Sequence, residues 1–111
     1  MNNNIIEKEV KANIEAEQLL LGSILANNEV LNQISDFLRS QHFYEPIHQK
    51  IFESATILIE KGMHASALTL SSMLSKDPVF SEVGGRDYLA KLLTSSVAVV
   101  NNYDNARIIY D

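Results

Sequence analysis

Apolar residues recur every three or four positions along most of this chain, a period that favours α-helices as its main elements. The stretch NIEAEQLLLGSIL, Asn13 to Leu25, shows the pattern and one irregularity in it. At about 100° per residue, Ile14, Ala16, Leu20, Leu21, Ile24 and Leu25 share one broad arc. Glu17 falls near the middle of that arc. A carboxylate there is either half of a catalytic or metal-binding pair, or a structural acid that fixes how the helix is held.

Bulk properties narrow the function classes. With 111 residues, the chain makes one domain able to bury most of its unfolded surface. Cysteine is absent, which excludes disulfides and thiolate zinc sites and allows a reducing compartment. Nine Lys and Arg stand against 14 Asp and Glu, for a net charge of −5. They are scattered, whereas wrapping nucleic acid needs a concentrated basic surface, so no direct nucleic-acid binding is expected. No apolar run approaches a membrane span, and no membrane partner is expected. The opening MNNNIIEKEV lacks the features of a signal peptide, which makes the cytoplasm the expected location.

Capping residues divide the chain. Residues 1–12 read as a disordered or frayed tail, and Asn13 suits the N-cap of a first helix running to about Asn27. Gly22, inside that helix, suggests a close backbone neighbour. Asn28 can cap a second helix over EVLNQISDFL. Pro46 suits the first position of a third, which stops at Gly62. Ser66 opens a fourth, ALTLSSMLSK, ended by Asp77-Pro78 and followed by a loop with VGG. A fifth covers RDYLAKLLTS, and a sixth runs from about Val97 to the last residue.

No segment alternates with period two, so no strand is predicted. The expected fold class is all-α, a compact bundle of five or six short helices. Its core should contain Leu20, Ile24, Leu25, Phe37, Phe43, Ile51, Phe52, Leu58, Leu70, Leu74, Tyr88, Leu89 and Leu92. Ile108, Ile109 and Tyr110 have no capping signal after them, so the last helix reads as one that is truncated and continues in a parent protein.

Catalytic chemistry finds little support. Glu45 and His48 form a Glu-x-x-His, the spacing of di-iron carboxylate bundles, but such a site needs the motif twice and no second copy exists. GGRDYLAK does not have phosphate-loop spacing, and no strand leads into it. No nucleophile elbow is present. No catalytic, cofactor-binding or metal-binding residue is therefore assigned. Glu17, placed near the start of its helix, is read as a structural semi-buried acid favoured by the helix dipole. Its candidate partners across the core are His48, Tyr44, Tyr88 and Arg86. His48 is read as a second structural semi-buried polar residue.

Four segments in order carry a family resemblance: NIEAEQLLLGSIL, FYEPIHQKIF, LTLSSML and VGGRDYLAKL. Glu15, Ala16, Glu17, Gln18, Leu21 and Gly22 make the first landmark. Phe43, Tyr44, His48, Ile51 and Phe52 make the second; Gly84, Gly85, Tyr88 and Leu89 make the third. Over residues 13–111 the chain resembles the N-terminal domain of the bacterial replicative DNA helicase DnaB. In MHASALTL the chain lacks the family's proline and aspartate before Thr-Leu, and Ser66 is expected to cap the helix instead.

The resemblance implies a helical head over residues 13–96 and the start of a C-terminal hairpin or linker helix over 97–111. It implies that the ATPase motor, with its ATP and Mg²⁺, is not in this chain. The implied function is a non-catalytic interaction and assembly domain in DNA replication, supporting ring assembly and primase recruitment. Implied partners are the chain itself, by dimer pairing within a hexameric collar, primase, and a helicase loader. Val99, Val100, Tyr103, Ala106, Ile109 and Tyr110 are the candidate pairing surface; the alternative is that they simply cover the head's core. Two rival readings are a stand-alone helical interaction module and a helix-turn-helix DNA-binding domain. The acidic charge and the lack of a basic recognition helix weigh against the second.

Overall fold

The computed structural model describes residues 3–95 and 102–111. Among them are seven α-helices and one 3₁₀ turn, with no strand. The helices are α1 Asn3–Ala26, α2 Val30–Ile34, α3 Pro46–Glu60, α4 Ala67–Met73, α5 Pro78–Glu82, α6 Arg86–Ser95 and α7 Asn102–Tyr110; the 3₁₀ turn is Ser40–His42. α1 is the central element and packs against α6, α7, α3 and α2. α3 also meets the 3₁₀ turn, α4 and α5, while α7 closes over α2. No helix among the described residues is long and apolar enough to cross a membrane.

Several boundaries correct the sequence reading. α1 starts at Asn3, eleven residues before the expected first helical residue Ile14, so residues 3–12 are helical rather than a tail, and Asn13 lies inside the helix. Once the packed part of a helix is nucleated, each further residue adds a hydrogen bond at little cost, and Glu, Lys and Ala propagate it well. α2 stops at Ile34 instead of Leu38. The Arg39 guanidinium donates to the carbonyl oxygens of Ser35 and Leu38, closing the turn that follows. Residues 78–82, expected in a loop, form α5. Asp77 accepts from the amides of Val79 and Phe80, and Pro78 takes the first helical position, so this pair starts a helix as well as ending one.

The remaining stops are chemically explicit. At the end of α3, Met63 N–H donates to Leu58 O at 2.9 Å and Gly62 N–H to Ile59 O at 3.0 Å, a Schellman closure that needs the φ of 76° at Gly62. α5 ends the same way through Gly84. Ser66 caps α4 in a reciprocal box with Thr69. Lys50 on α3 pairs with Asp77, and this hydrogen bond is the main reason the Asp77 carboxyl sits below the usual carboxylate range.

The core lies between α1, α3, α6 and α7. Of the residues named for it, Phe37 and Tyr88 are half-buried and the others buried. Leu21, Ile34, Leu38, Ala65 and Phe80 are buried beside them. Gly22 is buried within α1.

Asn28 is not a cap. Its amide nitrogen donates to Ile24 O at 2.8 Å and to Ala65 O at 3.0 Å, and its carbonyl accepts from Ala65 N–H at 2.9 Å. The end of α1 is thereby tied to the segment leading into α4. Asn28→Ala is expected to lower the urea-unfolding free energy by about 1–3 kcal/mol, because it strands a backbone donor. Asn32→Ala, on the exposed side of α2, should change it by less than about 0.5 kcal/mol.

Candidate functional site

Glu17 lies mid-helix on α1 with 1% of its surface exposed, and it faces the entrance to α3. Oε2 accepts from Tyr44 N–H at 2.6 Å, and Oε1 accepts from Glu45 N–H at 3.3 Å. The Oε1 oxygen also lies 2.7 Å from His48 Nδ1. A carboxylate receiving two backbone donors has only acceptor capacity left, so His48 donates from Nδ1. In the neutral imidazole, Nε2 then accepts from the Tyr88 hydroxyl, 2.6 Å away. Gln18 Nε2 donates to that hydroxyl oxygen at 3.3 Å.

The line of contacts runs α1, α3, α6 and back to α1. Several details correct the sequence reading. Glu17 and His48 are buried rather than semi-buried, and the helix dipole that Glu17 meets is that of α3, since its own helix begins fourteen residues earlier. Tyr44 contributes its backbone amide, while its side chain is exposed. Arg86 is not a Glu17 partner; Gln18 and the Glu45 amide, not foreseen, belong to the network. Glu45 stands at the N-cap of α3 without a side-chain cap, and Pro46 follows it, which is the local signal that another group must serve that helix end.

A Glu–His–Tyr line can relay protons in an enzyme when a substrate reaches one end. Here the imidazole and the carboxylate are each 1% exposed, which keeps substrate from both. Both His48 ring nitrogens are engaged. Among the described residues no group of three or more His, Asp or Glu could hold a metal ion. Gly84 and Gly85 lie in the turn that ends α5, and α5, not a strand, leads into them.

The α7 residues divide by face. Ala106 and Ile109 are buried in the head's core, which corrects their place on an open pairing surface. Tyr103 and Tyr110 are exposed, as is Ile108. Val99 and Val100 lie outside the described residues. Phe37 meets both tyrosine rings edge-on, at 5.8 and 5.6 Å between centroids, and His42 lies 4.7 Å from Tyr110. The Arg107 guanidinium sits 5.6 Å from the Phe37 centroid and 5.2 Å from that of Tyr110.

Residues 9–111 match the family model described as the DnaB-like helicase N-terminal domain. The chain belongs to that family. It is 51% identical over 107 residues to a replicative DNA helicase DnaB of Rickettsia bellii, covering 96% of this chain and 22% of that protein. It is 34% identical over 97 residues to the replicative DNA helicase DnaC of Bacillus subtilis, covering 87% of this chain and 21% of that one. The chain thus spans about a fifth of the length of these curated relatives. The crystal structure of the N-terminal domain of DnaB helicase from Mycobacterium tuberculosis superposes with a TM-score of 0.79 at 28% identity, over 87% of this chain and 67% of that one. The three sequence landmarks of this DnaB-like domain meet in one place, since Glu17 and Gln18, Tyr44 and His48, and Tyr88 form a single network.

The network has a pH signature at its outer end. Burial pushes the Tyr88 phenol above its ordinary value of 10.0; the Gln18 hydrogen bond opposes this, and the Glu45 and Glu17 carboxylates add to the rise. The folded state therefore holds this proton more tightly than the unfolded chain does. Its contribution to stability is complete below the unfolded value and is lost as pH rises through the folded one. Chemical unfolding of wild type and Tyr88→Phe across the alkaline range should show that loss in wild type and its absence in the variant.

Proposed function

We propose that this chain serves as the N-terminal interaction and assembly domain of a replicative DNA helicase, acting through its surface rather than a pocket. The observation that carries this reading is the match over residues 9–111, whose landmark polar residues are committed to holding the head together. In the parent protein the head helps build the ring and recruits primase to it, with a helicase loader as a further partner. Unwinding is the work of an ATP-driven motor segment, and ATP and Mg²⁺ belong to that segment. The parent protein works in the cytoplasm.

Self-pairing is assigned to the outer side of α7. Tyr103 and Tyr110 are exposed there, on a helix anchored to the head by Ala106 and Ile109. Rigid, partly exposed tyrosines supply contact area at low entropic cost. Calorimetric titration of this chain with the C-terminal domain of its cognate primase tests the recruiting role. Saturable heat, even at micromolar Kd, is the expected result. Absence of binding by the folded chain would overturn recruitment by the isolated head.

A further inference from the structure

The outward side of α3 carries two charges without partners. Glu53, Ile57 and Glu60 stand at i, i+4 and i+7, so they share one ridge of the helix. Beside the ridge runs a groove of about 490 Å³, floored by Leu38 and Phe52 and walled on its far side by Arg39. Glu53 and Glu60 are exposed, and neither has a hydrogen bond or ion pair among the described residues. Lys50, one turn before Glu53, is committed to Asp77. The Arg39 guanidinium is turned onto the carbonyls that end the α2 turn. The groove therefore combines an apolar floor with two unpaired carboxylates along one rail, outnumbering the one guanidinium on its far side, which is turned onto neutral carbonyls.

We propose that this groove docks a short basic amphipathic helix from another protein. The two carboxylates lie roughly 10 Å apart along the axis of α3, the rise of two helical turns. A helix with Lys or Arg at i and i+7 presents matching charges at that repeat, and its apolar residues between them enter beside Ile57. Phosphate-bearing ligands are repelled by the same rail. A second copy of this chain is a poor occupant: no two of its nine Lys and Arg residues lie seven positions apart.

The probe is a fluorescein-labelled peptide of about 16 residues, patterned with Leu at helical spacing and Lys at i and i+7. Its control is a scrambled isomer of identical composition. Anisotropy against the 111-residue chain should show saturable binding of the patterned peptide at about 50 mM salt, weakening as salt rises. Amide shifts should cluster on α3 and residues 31–41. The exposed-site double variant E53Q/E60Q, checked for unchanged circular dichroism, should weaken binding about fivefold. The proposal is overturned by equal binding of the scrambled peptide, by full affinity in E53Q/E60Q, or by shifts confined to another face. Dimerisation of the chain that E53Q/E60Q abolishes would reassign the groove to a second copy.

Discussion

The head depends on a buried carboxylate with no basic side chain of Lys or Arg beside it. Removing an ionised carboxylate from water costs several kcal/mol even after relaxation, and the cost is offset only by well-placed hydrogen bonds. Glu17 obtains them from two backbone amides at the entrance of α3 and from His48 within that helix. Because Tyr88 completes the imidazole's hydrogen bonding, the position of α6 is coupled to the same charge. Hydrophobic burial alone leaves helices free to slide over one another. A satisfied polar network inside that core allows far fewer arrangements.

What the sequence made legible follows from where each determinant resides. The Arg86 start of α6 and the Pro46 start and Gly62 stop of α3 were readable because local residues set them. The start of α1 was not, since its first turns are held by propagation from a packed segment, and the apolar residues they carry, Ile6 and Val10, are exposed and half-buried rather than packed in the core. Asn28 looked like a cap because the partner that engages it, Ala65, lies 37 residues away. α5 is readable in principle, as Asp77-Pro78 carries the same start signal as Pro46 with a stronger cap and serves as a start as well as a stop.

The candidate site shows the same division. Glu17 stood out as a charge on an apolar arc; of its foreseen partners His48 bonds it directly, whereas Tyr88 joins only through His48. The backbone donors could not be foreseen, because periodicity says nothing of where a distant loop aims its amides. On α7 the spacing grouped Tyr103, Ala106 and Tyr110, yet the way α1 and α2 pack buries Ala106 and leaves both tyrosines outward. Glu17, Gln18, His48 and Tyr88 among the family landmarks thus hold the head's shape through one network, while others, Glu15, Tyr44 and Gly84, present exposed side chains or backbone. The surfaces assigned to partners, on α7 and along α3, carry separate residues that can change without disturbing the network.

The central claim is that the Glu17 carboxylate holds the entrance of α3 as firmly as the core itself. Native-state hydrogen exchange at the Tyr44 amide measures this directly, since its donor bond to Glu17 is the contact in question. The account predicts exchange only through global unfolding, with a free energy equal to that of core amides such as Leu20. Exchange of Tyr44 at the rate of an open loop, with the core still protected, would contradict it.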